Sequence, residues 1–157
     1  MADAAGETLF YKRSHFVTHL PVQALFTPSH AWLSRDGNGP WRVGLTRFAT
    51  RMLGDLVDHG FDAAPGAPIV PGQILGWVEG FKAISDLYCV VQGTFGGGNP
   101  ALREQLELLS KDPFGKGWLY MADGEPDPGA LDVHAYAALL DKTIDRILEK
   151  QSGEESP

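Results

Sequence analysis

The stretch from Ile74 to Val91 constrains the fold more than any other part of the chain. It holds two apolar runs, Ile74 to Phe81 and Ile84 to Val91, separated only by Lys82 and Ala83. Runs of this length, rich in branched and aromatic residues, predict two strands, and the short break between them predicts a hairpin. Lys82 then falls at or beside the bend. A lysine at a hairpin tip is presented to solvent, where another protein can reach and modify it.

The rest of the chain is punctuated for the same kind of structure. Nineteen Gly and eleven Pro in 157 residues predict many turns and short strands rather than a helical bundle. Residues 31–35 and 41–45 read as strands flanking the turn Asp36-Gly37-Asn38-Gly39. Thr46 predicts an N-cap for a short helix from Arg47 to Leu53, with Gly54 as its stop. Asp55 to Phe61 predicts a strand, and Ile69-Val70 a very short one between prolines. Gln92 to Phe95 and Trp118 to Ala122 predict further strands, and residues 123–129 a loop. Asn99-Pro100 opens a helix over residues 100–109, with Leu102, Leu106 and Leu109 on one face. Asp132 caps a final helix reaching about Glu149, in which Tyr136, Leu139, Leu140, Ile144, Ile147 and Leu148 recur at helical spacing. The expected fold class is mainly β (α+β), a compact β-sandwich or barrel with appended short helices and a C-terminal helix. Residues 1–25 are expected to be an N-terminal extension, disordered over 1–8 and an edge strand or docked arm over 9–20. Residues 26–150 form the domain, and 151–157 a polar tail.

Several classes of function are disfavoured. The net charge of −7 opposes nucleic acid and anionic lipid as main partners. No apolar run approaches the ~18 residues that span a membrane, and the acidic N-terminus lacks a signal-peptide core, so the expected compartment is the cytoplasm. The single cysteine, Cys89, allows no intrachain disulfide and no cysteine-rich zinc site; inside an apolar run it reads as a small core residue. His15 and His19 have i,i+4 spacing, but no carboxylate lies between them and β-formers surround them, so no metal is expected. Gly96-Gly97-Gly98 lacks the strand, turn and helix of a phosphate loop and reads as a close approach of two strands. No nucleophile elbow and no pair of carboxylates stands out, so the chain is not expected to be an enzyme by itself.

Lys82 is flanked by Glu79 and Asp86 within the two apolar runs. A lysine amide-linked to a prosthetic group becomes a long swinging arm, and a tight hairpin gives that arm a fixed base. The segment from Gly76 to Tyr88 resembles the lipoylation segment of the glycine cleavage system H protein family, Gly-x-Val-Glu-Ser-x-Lys-Ala-x-Ser-Asp. Ser29-His30-Ala31-Trp32 resembles that family's Ser/Glu-His-Glu-Trp. Val43-Gly44-Leu45-Thr46 and Leu53-Gly54-Asp55 resemble its Ile-Gly-Ile-Thr and Leu-Gly-Asp/Glu elements. Asn99 and the run from Asp112 to Leu119 resemble its Asn and Asp-Pro-Tyr-Gly-x-Gly-Trp-Leu. In-order similarity covers about residues 26–148.

The resemblance implies a lipoyl-domain-like flattened β-sandwich with lipoate attached covalently to Lys82. It implies a carrier that shuttles an aminomethyl group between glycine decarboxylase and aminomethyltransferase, with dihydrolipoyl dehydrogenase reoxidising the arm. Glu79 matches a position recognised by lipoylating enzymes. Ser29, His30 and Asp86 match the pocket that holds the loaded arm. Four positions depart from the pattern: Gly80 stands for Ser, Cys89-Val90 for Ala/Ser-Pro, and Ala31 for the Glu that, with Ser and Asp, holds the amine. The alternatives are an H-like lipoate carrier of another pathway, such as sulfur oxidation, and a non-lipoylated binding or regulatory module. Biotin fits less well, because Phe81 and Ala83 replace the methionines beside a biotinyl lysine.

Overall fold

The computed structural model describes residues 6–155, with side chains described to residue 153. In chain order the strands are β1 (Thr8–Arg13), β2 (Phe16–Pro21), β3 (Leu25–Phe26), β4 (Ala31–Ser34), β5 (Trp41–Leu45), β6 (Leu56–Phe61), β7 (Pro68–Ile69), β8 (Ile74–Gly80), β9 (Ile84–Tyr88), β10 (Val91–Gly98) and β11 (Tyr120–Pro126). The helices are α1 (Arg47–Leu53), α2 (Leu108–Lys111) and α3 (Val133–Glu155). A six-stranded sheet has the order β3-β4-β5-β11-β10-β7, and a three-stranded sheet the order β6-β8-β9. All pairings are antiparallel. The two sheets share one core, in which Leu33, Val43, Leu75, Val78, Leu87, Val91, Phe95 and Ala122 are buried. This is the β-sandwich with appended helices that the sequence predicts, flattened as the resemblance implies. No helix among the described residues is long and apolar enough to cross a membrane.

A second core lies on the other side of β4. Ala31 and Leu33 belong to the first core and Trp32 to the second, the alternation expected of a strand buried on both faces. Residues 9–20, expected as an edge strand or arm, are the hairpin β1-β2, whose tight turn places Ser14 at φ 56°. Its inner face, Tyr11, Phe16 and Leu20, packs with Phe48 of α1 and Tyr136, Leu140 and Ile144 of α3. Arg13 donates to both oxygens of Asp145 at 2.9 Å, and the Tyr11 hydroxyl donates to Asp141 at 2.8 Å. These pairs are partly exposed, so they orient the hairpin more than they stabilise it. Of the residues expected to be disordered, 1–5 lie outside the described residues, and Thr8 already belongs to β1.

Several elements differ from the sequence expectation. The returning strand stops at Tyr88, because the next two residues serve different sheets. The Cys89 N–H donates to the Gln73 carbonyl, whereas the Val90 carbonyl accepts from Asp127 beyond β11. Residues 123–126 are not loop but the end of β11, paired with Val91–Thr94. Gly124, at φ 137°, faces Gly93 there; a Cβ on either would lie 2.9 Å from a backbone carbonyl carbon of the opposing strand. The helix expected over 100–109 is a 3-10 turn, Pro100–Arg103, followed by the short α2. Successive i→i+3 bonds, such as Leu108 to Gln105 and Leu109 to Leu106, tighten the segment while Leu102 and Leu109 stay buried. At the C-terminus, α3 begins as predicted, with the Asp132 carboxylate accepting from Ala135 N–H at 2.8 Å. It continues to Glu155, through most of the expected polar tail.

Candidate functional site

Lys82 sits at the tip of the β8-β9 hairpin. Glu79 pairs with Ile84, and the Gly80 N–H donates to the Ala83 carbonyl at 2.8 Å, which closes the turn. The tip is also held from outside. Phe81 N–H donates to Asp55 O and Lys82 N–H to Leu53 O, each at 2.9 Å. Those carbonyls belong to the corner that follows α1. Thr46 caps that helix by accepting from Ala49 N–H, and Gly54 ends it at φ 78°, as the sequence predicts. Gly54 also makes room for the lysine stem, since a Cβ there would lie 2.9 Å from Lys82 Cγ. The backbone of Lys82 is therefore fixed while its side chain is exposed. Phe81 is 80% and Ile84 67% exposed, so two large apolar side chains stand in water beside the lysine. Exposed apolar clusters of this kind mark contact surfaces.

A cavity of about 230 Å³ opens beside this tip. Ser29, His30 and Ala31, from the β3-β4 turn, form one wall. Ala83, Ser85, Asp86 and Leu87 of the hairpin form a second, and Phe48, Ala49, Met52 and Leu53 of α1 a third. Ser29, His30 and Asp86 are thus brought together. Glu79 is not part of the lining; it lies on β8 opposite Asp58 and Ile84. The lining is mostly apolar, and Asp86 is its one carboxylate. Ala31 contributes a buried methyl group where the family pattern has a carboxylate.

His30 has a left-handed backbone, φ 67°. Its Nδ1 lies 2.8 Å from the Tyr136 hydroxyl, and burial pushes its pKa down to about 4, so the ring is neutral at pH 7. The Ser29 hydroxyl is 2.8 Å from that of Thr27. Tyr136 figured in the sequence only as a periodic residue of α3. The signal that it does more is its hydroxyl, which a buried tyrosine must satisfy.

The remaining candidates carry no site. Cys89 is buried, donates to the Val91 carbonyl at 2.9 Å, and has its thiol pKa raised by burial. Among the described residues no cluster of His, Cys, Asp and Glu could hold a metal. Gly98 allows the Phe61 ring to approach, since a Cβ would lie 2.6 Å from it.

A model of the family described as "Glycine cleavage H-protein" matches residues 24–134. The chain belongs to the glycine cleavage H-protein family. It is 38% identical over 127 residues to the glycine cleavage system H protein of Mycobacterium avium (strain 104), covering 80% of this chain and 92% of that one. It is 34% identical over 130 residues to that of Enterobacter sp. (strain 638), covering 80% and 98%. Among solved structures it resembles the H protein of Mycobacterium marinum, with TM-score 0.69, 31% identity, and coverage of 76% of this chain and 97% of that one. Proteins of this family are lipoyl carriers rather than catalysts, and they bear lipoate on a lysine.

Proposed function

We propose that Lys82 is the lipoylated lysine and that Ser29, His30 and Asp86 form the resting place of the loaded arm. The chain is then the carrier component of a glycine cleavage system and acts with that system's enzymes. More specifically, the arm carries an aminomethyl group from glycine decarboxylase to aminomethyltransferase, and dihydrolipoyl dehydrogenase restores it.

The observation that carries this reading is the combination at Lys82: a side chain in solvent, a backbone pinned by two carbonyls of a neighbouring corner, and a cavity alongside. Lipoate held on Lys82 would supply a redox-active disulfide as the cargo-bearing group. The protein's residues do the rest. Lys82 supplies the amide anchor, and the clamp at Leu53 and Asp55 holds the arm's base in one place. The apolar lining suits an aliphatic chain. The Asp86 carboxylate offers charge to a cationic amine, alone now that position 31 carries a methyl group. Phe81 and Ile84 give the lipoylating and processing enzymes an apolar surface at the attachment point. Glu79, partly buried one strand-step below the tip, is the acidic mark for lipoylating enzymes.

The test is intact mass of the protein made with lipoate and a lipoylating enzyme. One lipoyl adduct is expected, lost in Lys82→Arg. An adduct on any of the other five lysines, or none on the unsubstituted chain, refutes the assignment. Glycine–bicarbonate exchange with glycine decarboxylase then tests the cargo.

A further inference from the structure

We propose that Tyr136 is a positioning residue. With Thr46 behind it, Tyr136 fixes His30 as the Nε2–H tautomer, so that the cavity beside Lys82 presents a neutral hydrogen-bond donor. Tyr136 lies on α3, beyond the end of the matched family span at residue 134.

The direction of each proton follows from counting donors. Thr46 is 1% exposed, and its hydroxyl oxygen accepts from Ala49 N–H as the cap of α1. Its own proton has one partner in reach, the Tyr136 hydroxyl at 2.8 Å. If Thr46 donates to Tyr136, the single phenol proton is free to go to His30 Nδ1, also at 2.8 Å. Nδ1 is then the acceptor, and the ring's proton resides on Nε2. The reverse order, with His30 donating to Tyr136 and Tyr136 to Thr46, orphans the buried Thr46 proton. A buried donor left unmade is disfavoured enough to set the tautomer ratio at about fivefold or above. Packing holds the relay in place. The Tyr136 ring stacks on Phe26 at 4.7 Å, and the His30 ring lies 4.6 Å from Phe48.

The consequence concerns what the cavity can hold. Among the described residues, Asp86 is the only charged side chain lining it. His30 N–H adds a donor, so the two differ in what they attract. A ligand that seats well has a lone-pair acceptor, such as an amide carbonyl, facing His30, and a donor or cation facing Asp86. The relevance of this pair to a lipoyl arm rests on the proposed function; the tautomer itself does not.

Long-range proton–nitrogen NMR on the full, unlipoylated chain at pH 7 tests the relay without using Lys82. His30 is expected to show a protonated Nε2 and a bare Nδ1. Tyr136→Phe keeps the ring on Phe26 and removes the hydroxyl, and is expected to bring Nδ1–H into the spectrum. Thr46→Ser keeps the hydroxyl and is expected to preserve the Nε2–H form. Protonation at Nδ1 in the unsubstituted protein overturns the proposal whatever the variants do. An unchanged tautomer in folded Tyr136→Phe overturns it too. Loss of the Nε2–H form in Tyr136→Phe with lipoylation of Lys82 intact supports it, and failure of lipoylation leaves the tautomer result standing on its own.

Discussion

Replacing Gly80 with Ser places at this position the residue that the family pattern carries there, yet the structure predicts a loss. Gly80 closes the hairpin directly against the end of α1. A Cβ at residue 80 would lie 2.7 Å from the carbonyl carbon of Leu53 and 3.0 Å from its Cβ. Leu53 is buried in the main core, so it cannot swing away cheaply. Its carbonyl is also the acceptor that holds Lys82 N–H. Gly80 is not among the residues with positive φ, so the cost arises from contact rather than torsion. Overpacking of this kind costs about 1–3 kcal/mol, and weakening one hydrogen bond adds about 1 kcal/mol. For a chain of this size each kcal/mol lowers Tm by about 2–4 °C, so Gly80→Ser is expected to melt roughly 4–15 °C below the unsubstituted protein.

Thermal unfolding of unlipoylated protein, followed by circular dichroism, reads this directly. Gly80→Ala is the control. It carries the same Cβ without a hydroxyl, so an equal loss identifies the contact with Leu53 as the cause. A Gly80→Ser protein melting within ~1 °C of the original, a difference worth only a few tenths of a kcal/mol, would show that the α1 corner does not clamp the lysine loop, and the fixed-base account of Lys82 would fall with it.

Three further outcomes are expected. The depressed His30 pKa makes the folded state lose stability as pH falls from about 6.5 to about 4, because the unfolded chain takes up the proton first; a gap of this size corresponds to on the order of 3 kcal/mol. Denaturant melts across that range should flatten in His30→Asn, which tolerates the left-handed backbone, and an unchanged slope would contradict the assignment. Phe16→Ala removes the ring packed edge-on against Phe48 at 5.6 Å and should cost roughly 3–5 kcal/mol; a loss below ~1 kcal/mol, the scale of a surface substitution, would mean that the N-terminal hairpin is not docked. Cys89 should resist a thiol reagent in the folded protein and react once denatured, and rapid labelling of the folded form would contradict its burial.

What was legible in the sequence was local. The Thr46 cap, the Gly54 stop, the Asp36–Gly39 turn and the Lys82 hairpin each depend on a few adjacent residues, and each forms as read. What was not legible depended on partners far along the chain. Gly93 read as one residue of a strand and Gly124 as part of a loop, but they face each other across β10 and β11 so that two backbones can close up. Cys89 and Val90 carried an apolar pattern indistinguishable from strand, and only the positions of Gln73 and Asp127 decide that the chain changes sheets there. The cavity was half legible. The resemblance named Ser29, His30 and Asp86, and the fold gathers them. Tyr136 escaped because periodicity assigns a face of a helix and does not say which polar group waits at the end of a side chain.

The segments beyond the matched span bear on the site more than their position in the chain suggests. The family model matches residues 24–134, so the hairpin β1-β2 and most of α3 lie outside that span. They bury each other. Tyr11, Phe16 and Leu20 close over α3 and α1, and Arg13 ties the hairpin to Asp145. The contact continues inward: Phe16 packs on Phe48, Phe48 lies against the His30 ring, and α3 presents Tyr136 to the same ring. Both routes end on the cavity wall at His30. A perturbation of the N-terminal hairpin should therefore be felt at the cavity wall, whereas the backbone bonds that hold Phe81 and Lys82 come from Asp55 and Leu53. Under the proposed function, attachment at Lys82 and seating in the cavity draw on different residues, and Ala31, where the family pattern has Glu, changes the cavity wall while the side chain of Lys82 stays exposed.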